Sequence, residues 1–219
     1  MMIAIDGPSG AGKSTVARMA ATQLGFAYID TGALYRTIGV AVMRAGANTK
    51  DEAAVTACLP ALDLRVKYIQ GEQRVFLGEE DVSEEIRTPA ASLAASDVGK
   101  VPAVRDYLLQ LQRDLANAQP SILDGRDIGT VVLPHADVKI YLTASAQERA
   151  ERRWLQLKEN GVDEPLEKVL AEVIARDDQD MNRPIAPLKQ ADDAVLLDTT
   201  GMGLEQSVQA VIDSITAKK

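Results

Sequence analysis

Cysteine and histidine are almost missing from this chain: Cys58 and His135 are the only ones in 219 residues. A single cysteine excludes any intrachain disulfide, and Cys58 reads as a small, half-buried apolar residue rather than a reactive thiol. A single histidine excludes metal sites built from clustered histidines and argues against a Ser-His-Asp triad. His135 follows Pro134 at a strand-to-loop junction and reads as structural. No apolar run approaches the roughly 20 residues that span a bilayer, and no basic segment precedes a long apolar stretch near Met1, so a soluble, cytoplasmic protein without a membrane partner is expected. Positive charge is in deficit, with 24 Lys and Arg against 32 Asp and Glu and a net charge of −8. Such a chain is poorly suited to non-specific binding of a nucleic-acid backbone, and no nucleic-acid partner is expected; any anionic substrate must be held by a local arginine cluster. No heptad seam demands assembly, so a monomer is expected.

What is present is concentrated at the start. Met2-Ile3-Ala4-Ile5-Asp6 is a short apolar run that reads as a buried strand. Gly7-Pro8-Ser9-Gly10-Ala11-Gly12-Lys13-Ser14-Thr15 fits G-x-x-x-x-G-K-[ST], and Thr15 to Leu24 continues as an amphipathic helix. Strand, glycine loop and helix together form the context in which this pattern cradles phosphates. Glycines let the backbone turn several N–H groups inward at the positive end of the helix dipole, a nest that fits a nucleotide di- or triphosphate. Lys13 would reach the β- and γ-phosphates, and Ser14 would place its hydroxyl on Mg²⁺.

Further on, Gly25 caps that helix and Phe26 to Asp30 predicts a short strand. Helices are predicted from Thr31 to the stop at Gly46, and over Thr49–Leu59. Leu62–Val66 and Gln73–Leu77 then alternate apolar with polar residues around a turn signal at Gly71-Glu72, and Asp81-Val82 with Ile86 suggests a third short edge. Residues from about 60 to 90 therefore read as a small antiparallel lobe on the parent domain. Two helices fill Pro89–Ala118, parting between Gly99 and Pro102. Strands are predicted at Ser121–Leu123, Val138–Leu142 and Ala194–Asp198. Helices are predicted over Ala146–Gln156, from Glu164-Pro165 to about Met181, and over Leu204–Thr216. Four or five parallel apolar strands alternating with helices predict an α/β fold, a doubly wound parallel sheet with helices on both faces and ligands at the carboxyl ends of the strands.

Asp124 ends an apolar strand, where a carboxylate can hold Mg²⁺ or one of its waters opposite the phosphate loop; a turn or helix-cap aspartate is the alternative. Arg149, Arg152 and Arg153 share one helix face, which in many proteins is only a solvated surface. Arg176 and Arg183 are seven apart with Asp180 between them, and Arg36 and Arg126 each follow a strand. In an acidic chain, arginines so placed point to phosphate binding, since guanidinium forks hold phosphate oxygens bidentately.

Taken together, the phosphate loop, Asp30-Thr31-Gly32-Ala33-Leu34-Tyr35-Arg36, Asp124-Gly125-Arg126-Asp127-Ile128-Gly129-Thr130 and Arg176-Asp177-Asp178-Gln179-Asp180-Met181-Asn182-Arg183 closely resemble the bacterial cytidylate kinases, nucleoside monophosphate kinases of the P-loop class. The resemblance runs nearly the full length in matching order and includes the antiparallel insertion. It implies one P-loop kinase domain with a core at 1–59 and 91–219, an acceptor-binding insertion at about 60–90 and a lid at about 149–185. It implies ATP binding by Gly7 to Thr15, with Mg²⁺ at Ser14 and Asp124. It implies a clamp of Arg36, Arg126 and Arg183 on the phosphate of CMP, with Thr31 and Tyr35 beside it. Ser96, Arg105 and Asp127 match positions that read the cytosine edge, Arg176 and Asp180 the ribose contacts. Lys13, Arg126, Arg153 and Arg183 would carry catalysis. Thr31 stands where some members have serine, and Ser14 where some have glycine; both supply a hydroxyl. A kinase for another acceptor, such as UMP, AMP or a hydroxy acid, differs only in the acceptor pocket, and a nucleotide-dependent switch needs no acceptor clamp at all.

Overall fold

In chain order the strands are β1 Met2–Asp6, β2 Ala27–Asp30, β3 Leu64–Ile69, β4 Glu72–Leu77, β5 Glu80–Asp81, β6 Ser121–Gly125, β7 Val138–Thr143 and β8 Val195–Asp198. The helices are α1 Lys13–Leu24, α2 Thr31–Arg44, α3 Glu52–Cys58, α4 Pro89–Val98, α5 Pro102–Ala118, α6 Ala146–Glu159, α7 Leu166–Asn182 and α8 Leu204–Thr216. The computed structural model describes residues 1–218. Five strands form a parallel sheet of order β2-β6-β1-β7-β8, and three form an antiparallel sheet of order β3-β4-β5. Among the described residues no helix is long and apolar enough to cross a membrane.

The chain forms two compact units. One comprises Met1–Phe26 and the chain from Pro120 onward; the other is Ala27–Gln119. In the first unit, β1 lies between β6 and β7, with Ile5 opposite Asp124 and Asp6 opposite both Gly125 and Tyr141. Ile3, Ile5, Ile122, Leu123, Ile140 and Leu142 are fully buried there, which is why these strands read as continuous apolar runs instead of alternating ones. Fully burying each such side chain contributes about 1.5–3 kcal/mol. α1 and α8 pack together, and α8 presents Val208, Val211 and Ile215 to this core at helical spacing. The parallel register gathers the strand ends Asp6, Asp124, Thr143 and Asp198 on one edge of the sheet.

In the second unit, α2 packs against α4 so closely that a Cβ on Gly39 would lie 2.7 Å from the Cβ of Ala94. Leu34, Ile38, Val55, Val75, Val82, Ile86 and Leu108 belong to its buried core. The antiparallel strands fall inside this unit. Their first turn lies at Gln70-Gly71, with Glu72 already in β4, one residue earlier than the Gly71-Glu72 signal suggested. The third edge is Glu80–Asp81, and Ile86 sits instead in a single 3₁₀ turn, Glu85–Arg87, because its side chain is needed in the core.

Other differences are also local. α1 begins at Lys13, two residues before the expected Thr15. α6 runs through Gln156 to Glu159. Ile128–Val132 forms a π-helical turn that no sequence signal announced.

Candidate active site

The glycines of the phosphate loop are there for steric reasons. Gly7 has φ 152°, and a Cβ on it would lie 1.9 Å from the carbonyl oxygen of Leu142, so no side chain fits. Gly12, the residue before α1, is left-handed at φ 86°. Among the described residues, α1 and α5 are the helices that start with neither a side-chain cap nor an acid in the first turn, but α5 opens with Pro102, which has no N–H to offer, and α1 does not. α2, α3, α4 and α6 each have a side chain of Asp30, Asp51, Thr88 or Ser145 accepting from their first-turn N–H groups, whereas α1 has no side-chain cap and no acid in its first turn. Its N–H groups are thus left for an anion.

Behind the loop stands a buried charge network. Lys13 is buried and donates from Nζ to the Pro8 carbonyl at 2.7 Å. Burial, and then the nearby Arg126, pushes its pKa well below the ordinary lysine value, against Asp124, Asp6 and Asp180, which favour the charged form. Ser14 donates from its hydroxyl to Oδ2 of the buried Asp124 at 2.7 Å, so the residue after Lys13 and the end of β6 meet as expected. Arg126 Nε donates to Oδ2 of the buried Asp180 at 2.7 Å, and Arg183 Nη2 donates to Asp127 Oδ1 at 3.3 Å. Two arginines expected at phosphate are therefore each aimed by a carboxylate. Arg176 lies exposed on α7.

Asp6, the last residue of β1 and one without a role in the sequence reading, accounts for the π-helical turn. Its Oδ1 accepts from the N–H of Ile128 and its Oδ2 from that of Gly129, each at 2.7 Å. Asp6 thus fixes the backbone immediately after Arg126 and Asp127. Burial pushes its pKa from 3.8 up to about 6, more strongly than the two N–H bonds pull it down.

The three arginines of α6 have three different fates. Arg149 is buried, which corrects the option of a solvated face. Its Nε donates to the Ala144 carbonyl, Nη1 to the Ser9 carbonyl, and its two terminal nitrogens grip Asp177 of α7 bidentately at 2.9 and 2.5 Å. Arg152 pairs with Glu148, whose other oxygen accepts from the Gly201 N–H. Arg153 is exposed.

The second unit holds the remaining expected residues. Thr31 is buried at the first position of α2, and Tyr35 and Arg36 follow on the same helix. Asp30 caps α2 through Oδ1 and accepts from Arg36 Nη2 through Oδ2, both at 2.8 Å. Ser96 lies half-buried on α4. Arg105 of α5 is buried, donates to the Gly99 carbonyl at 3.2 Å and lies 5.7 Å from the ring centre of Tyr35. A hydroxyl, an aromatic ring and two guanidinium groups in one unit are suited to an anionic ligand carrying a flat ring.

Comparison with known proteins agrees with this chemistry. The family model described as cytidylate kinase matches residues 3–217. Cytidylate kinase from Caldicellulosiruptor bescii is 47% identical over 96% of this chain and 93% of its own. Cytidylate kinase from Syntrophotalea carbinolica is 47% identical over 100% and 93%. Among solved structures, an uncharacterised protein from Eubacterium ventriosum has a TM-score of 0.55 at 11% identity, covering 99% of both chains. A gluconokinase from Sinorhizobium meliloti has a TM-score of 0.50 at 15% identity, covering 99% of this chain and 91% of its own. Those two likenesses concern the fold alone. With the family model spanning nearly every residue and relatives close to half identical along the whole length, this chain belongs to the cytidylate kinase family.

Proposed function

We propose that the chain transfers the γ-phosphoryl group of MgATP to CMP or dCMP, giving ADP and CDP or dCDP, as a monomer acting on free nucleotides in the cytoplasm. The observation that carries this reading is the uncapped phosphate loop with its buried Lys13, in a chain of this family. Gly7 to Thr15 bind the ATP phosphates, with Lys13 as the point charge on the β- and γ-phosphates. Among the described residues no group of three or more His, Cys, Asp or Glu could hold a metal unaided. Ser14 and Asp124, two hard oxygen donors already in contact, fit a Mg²⁺ that takes its other ligands from nucleotide and water. When bound, that ion neutralises charge on the phosphates.

The acceptor is a phosphate oxygen of CMP. It attacks the γ-phosphorus as the bond to the β–γ bridging oxygen breaks, and the electron pair leaves with ADP. The second ionisation of a phosphate monoester lies near pH 6, so at neutral pH the acceptor needs no general base. Catalysis then rests on alignment and on charge neutralisation by Lys13, Arg126, Arg153 and Arg183. Arg36, Arg126 and Arg183 clamp the acceptor phosphate beside Thr31 and Tyr35. Ser96 and Asp127 accept from the cytosine amine while Arg105 donates to the ring carbonyl. Arg176 and Asp180 take the ribose. The segment at about 149–185, most of α6 and all of α7, acts as a lid that excludes water, and the insertion at about 60–90 serves the acceptor.

The test is ADP release from MgATP with CMP, dCMP, UMP and AMP offered separately. Fast release with CMP and dCMP and little with AMP is expected. Fast release with another acceptor would retain the phosphate loop but discard Ser96, Arg105 and Asp127 as base readers, and no acceptor-dependent release would remove the kinase reading.

A further inference from the structure

β2 is an edge strand of the parallel sheet. Backbone groups of alternate residues in a strand point to the same edge, so Tyr28 and Asp30 present theirs together. The β3–β4 hairpin covers both with side chains instead of a strand. Tyr68 donates its hydroxyl to the Tyr28 carbonyl at 3.2 Å. Its cross-strand partner Gln73 accepts from the Asp30 N–H at 2.9 Å through Oε1 and donates to the Asp30 carbonyl at 3.2 Å through Nε2. A carboxamide has the donor and acceptor spacing of a peptide group, so Gln73 stands in for the missing neighbour of one residue only. Reversing the amide would set donor against donor, so both bonds fix its orientation.

That one residue is Asp30, whose carboxylate starts α2 and aims Arg36. The Arg36 Nε is buried without a hydrogen-bond partner, so Asp30 fixes the guanidinium from one side only. The pair lies tight over Gly32, where a Cβ would come within 3.0 Å of Arg36 Nη1 and 3.1 Å of Asp30 Oδ1. A shift of the Asp30 backbone therefore moves the guanidinium with it. We infer that Gln73 is a positioning residue for recognition of the acceptor phosphate, acting through Asp30 on Arg36. This rests on the proposed role of Arg36 as a contact of the CMP phosphate. The hairpin keeps other attachments without Gln73: Arg44 of α2 grips Glu80 and Glu85, and Val75, Phe76 and Val82 are buried.

Steady-state kinetics of Gln73→Met, Arg36→Met, the double variant and Tyr68→Phe test the inference. Gln73→Met is expected to raise KM for CMP about tenfold, the worth of a hydrogen bond to a charged group, while kcat and KM for ATP stay within about twofold. The double variant should bind CMP no worse than Arg36→Met alone, because both act through one guanidinium. Tyr68→Phe removes the other edge contact and should leave KM for CMP unchanged. An unchanged KM for CMP in Gln73→Met beside a raised one in Arg36→Met overturns the inference and leaves the proposed function standing. Multiplying effects in the double variant, or an equal loss in Tyr68→Phe, also overturn it, because the hairpin would then act only as an edge cover. A normal KM for CMP in Arg36→Met overturns instead the acceptor clamp on which the inference rests. If Gln73→Met does not fold, Gln73→Glu, which retains the acceptor and loses the donor, carries the same comparison.

Discussion

Asp6 belongs to two structures at once: it ends the central strand, and it holds the backbone that follows Arg126 and Asp127. Holding that turn requires burying a carboxylate, and burial pushes its pKa up from 3.8 to about 6. Across that interval the folded protein retains a proton that the unfolded chain has released. The contribution of this group to stability is therefore full below about pH 4 and is lost as the pH rises through 6, by about 3 kcal/mol for a shift of this size. Asp6→Asn removes the titration. In urea unfolding at about pH 4.5 and pH 7.5, the variant should gain on the wild type toward the higher pH, by about 2 kcal/mol, the part of the effect that falls within this interval. A gap between the two proteins that does not change with pH would show that the folded carboxyl titrates normally. The residue is one the sequence placed but could not explain, since its partners Ile128 and Gly129 lie more than 120 positions away.

At the scale of the element, α6 separates what spacing could tell from what it could not. Spacings of three and four put Arg149, Arg152 and Arg153 on one face, but burial of Arg149 depends on α7 delivering Asp177 from 28 residues further on. The phosphate loop, by contrast, was legible throughout because strand, glycines and helix are consecutive and their chemistry is local. The same holds for the helix stop at Gly25, whereas the capping role of Asp30 emerged only in the structure. Gln73 was not legible, because its partner is 43 residues away and joins through backbone, which carries no sequence signature. Arg149 also spans three elements, tying the Ser9 carbonyl of the loop and the end of β7 to α7. Arg149→Met should therefore cost about 3–5 kcal/mol, because it strands a largely buried carboxylate at Asp177. Adding Asp177→Leu should restore part of that loss, since an apolar pair tolerates burial. Denaturant melts of the single and double variants check this, and a single variant as stable as the wild type would mean that Asp177 finds water or another partner unaided.

Across the whole molecule, the deficit of positive charge sets the terms. A chain at −8 offers no general attraction to nucleotides, so the proposed function draws its affinity from arginines that carboxylates hold in place: Arg36 by Asp30, Arg126 by Asp180, Arg183 by Asp127. These pairs are divided between the two compact units: the residues assigned to ATP all belong to the first, while those assigned to CMP belong to both. Ligand binding slows amide exchange wherever opening of a unit breaks that ligand's contacts, by about a hundredfold at a hundred times Kd. A non-hydrolysable ATP analogue with Mg²⁺ should therefore protect β1, α1 and β6 and leave the slow amides of α4 and α5 unchanged. CMP should protect both sets, since Ser96 and Arg105 lie on α4 and α5 while Asp127 follows β6. Hydrogen exchange read by mass spectrometry separates the outcomes. Protection by CMP confined to the first unit would withdraw Thr31, Arg36, Ser96 and Arg105 from acceptor binding and leave the arginines of that unit to hold the acceptor alone.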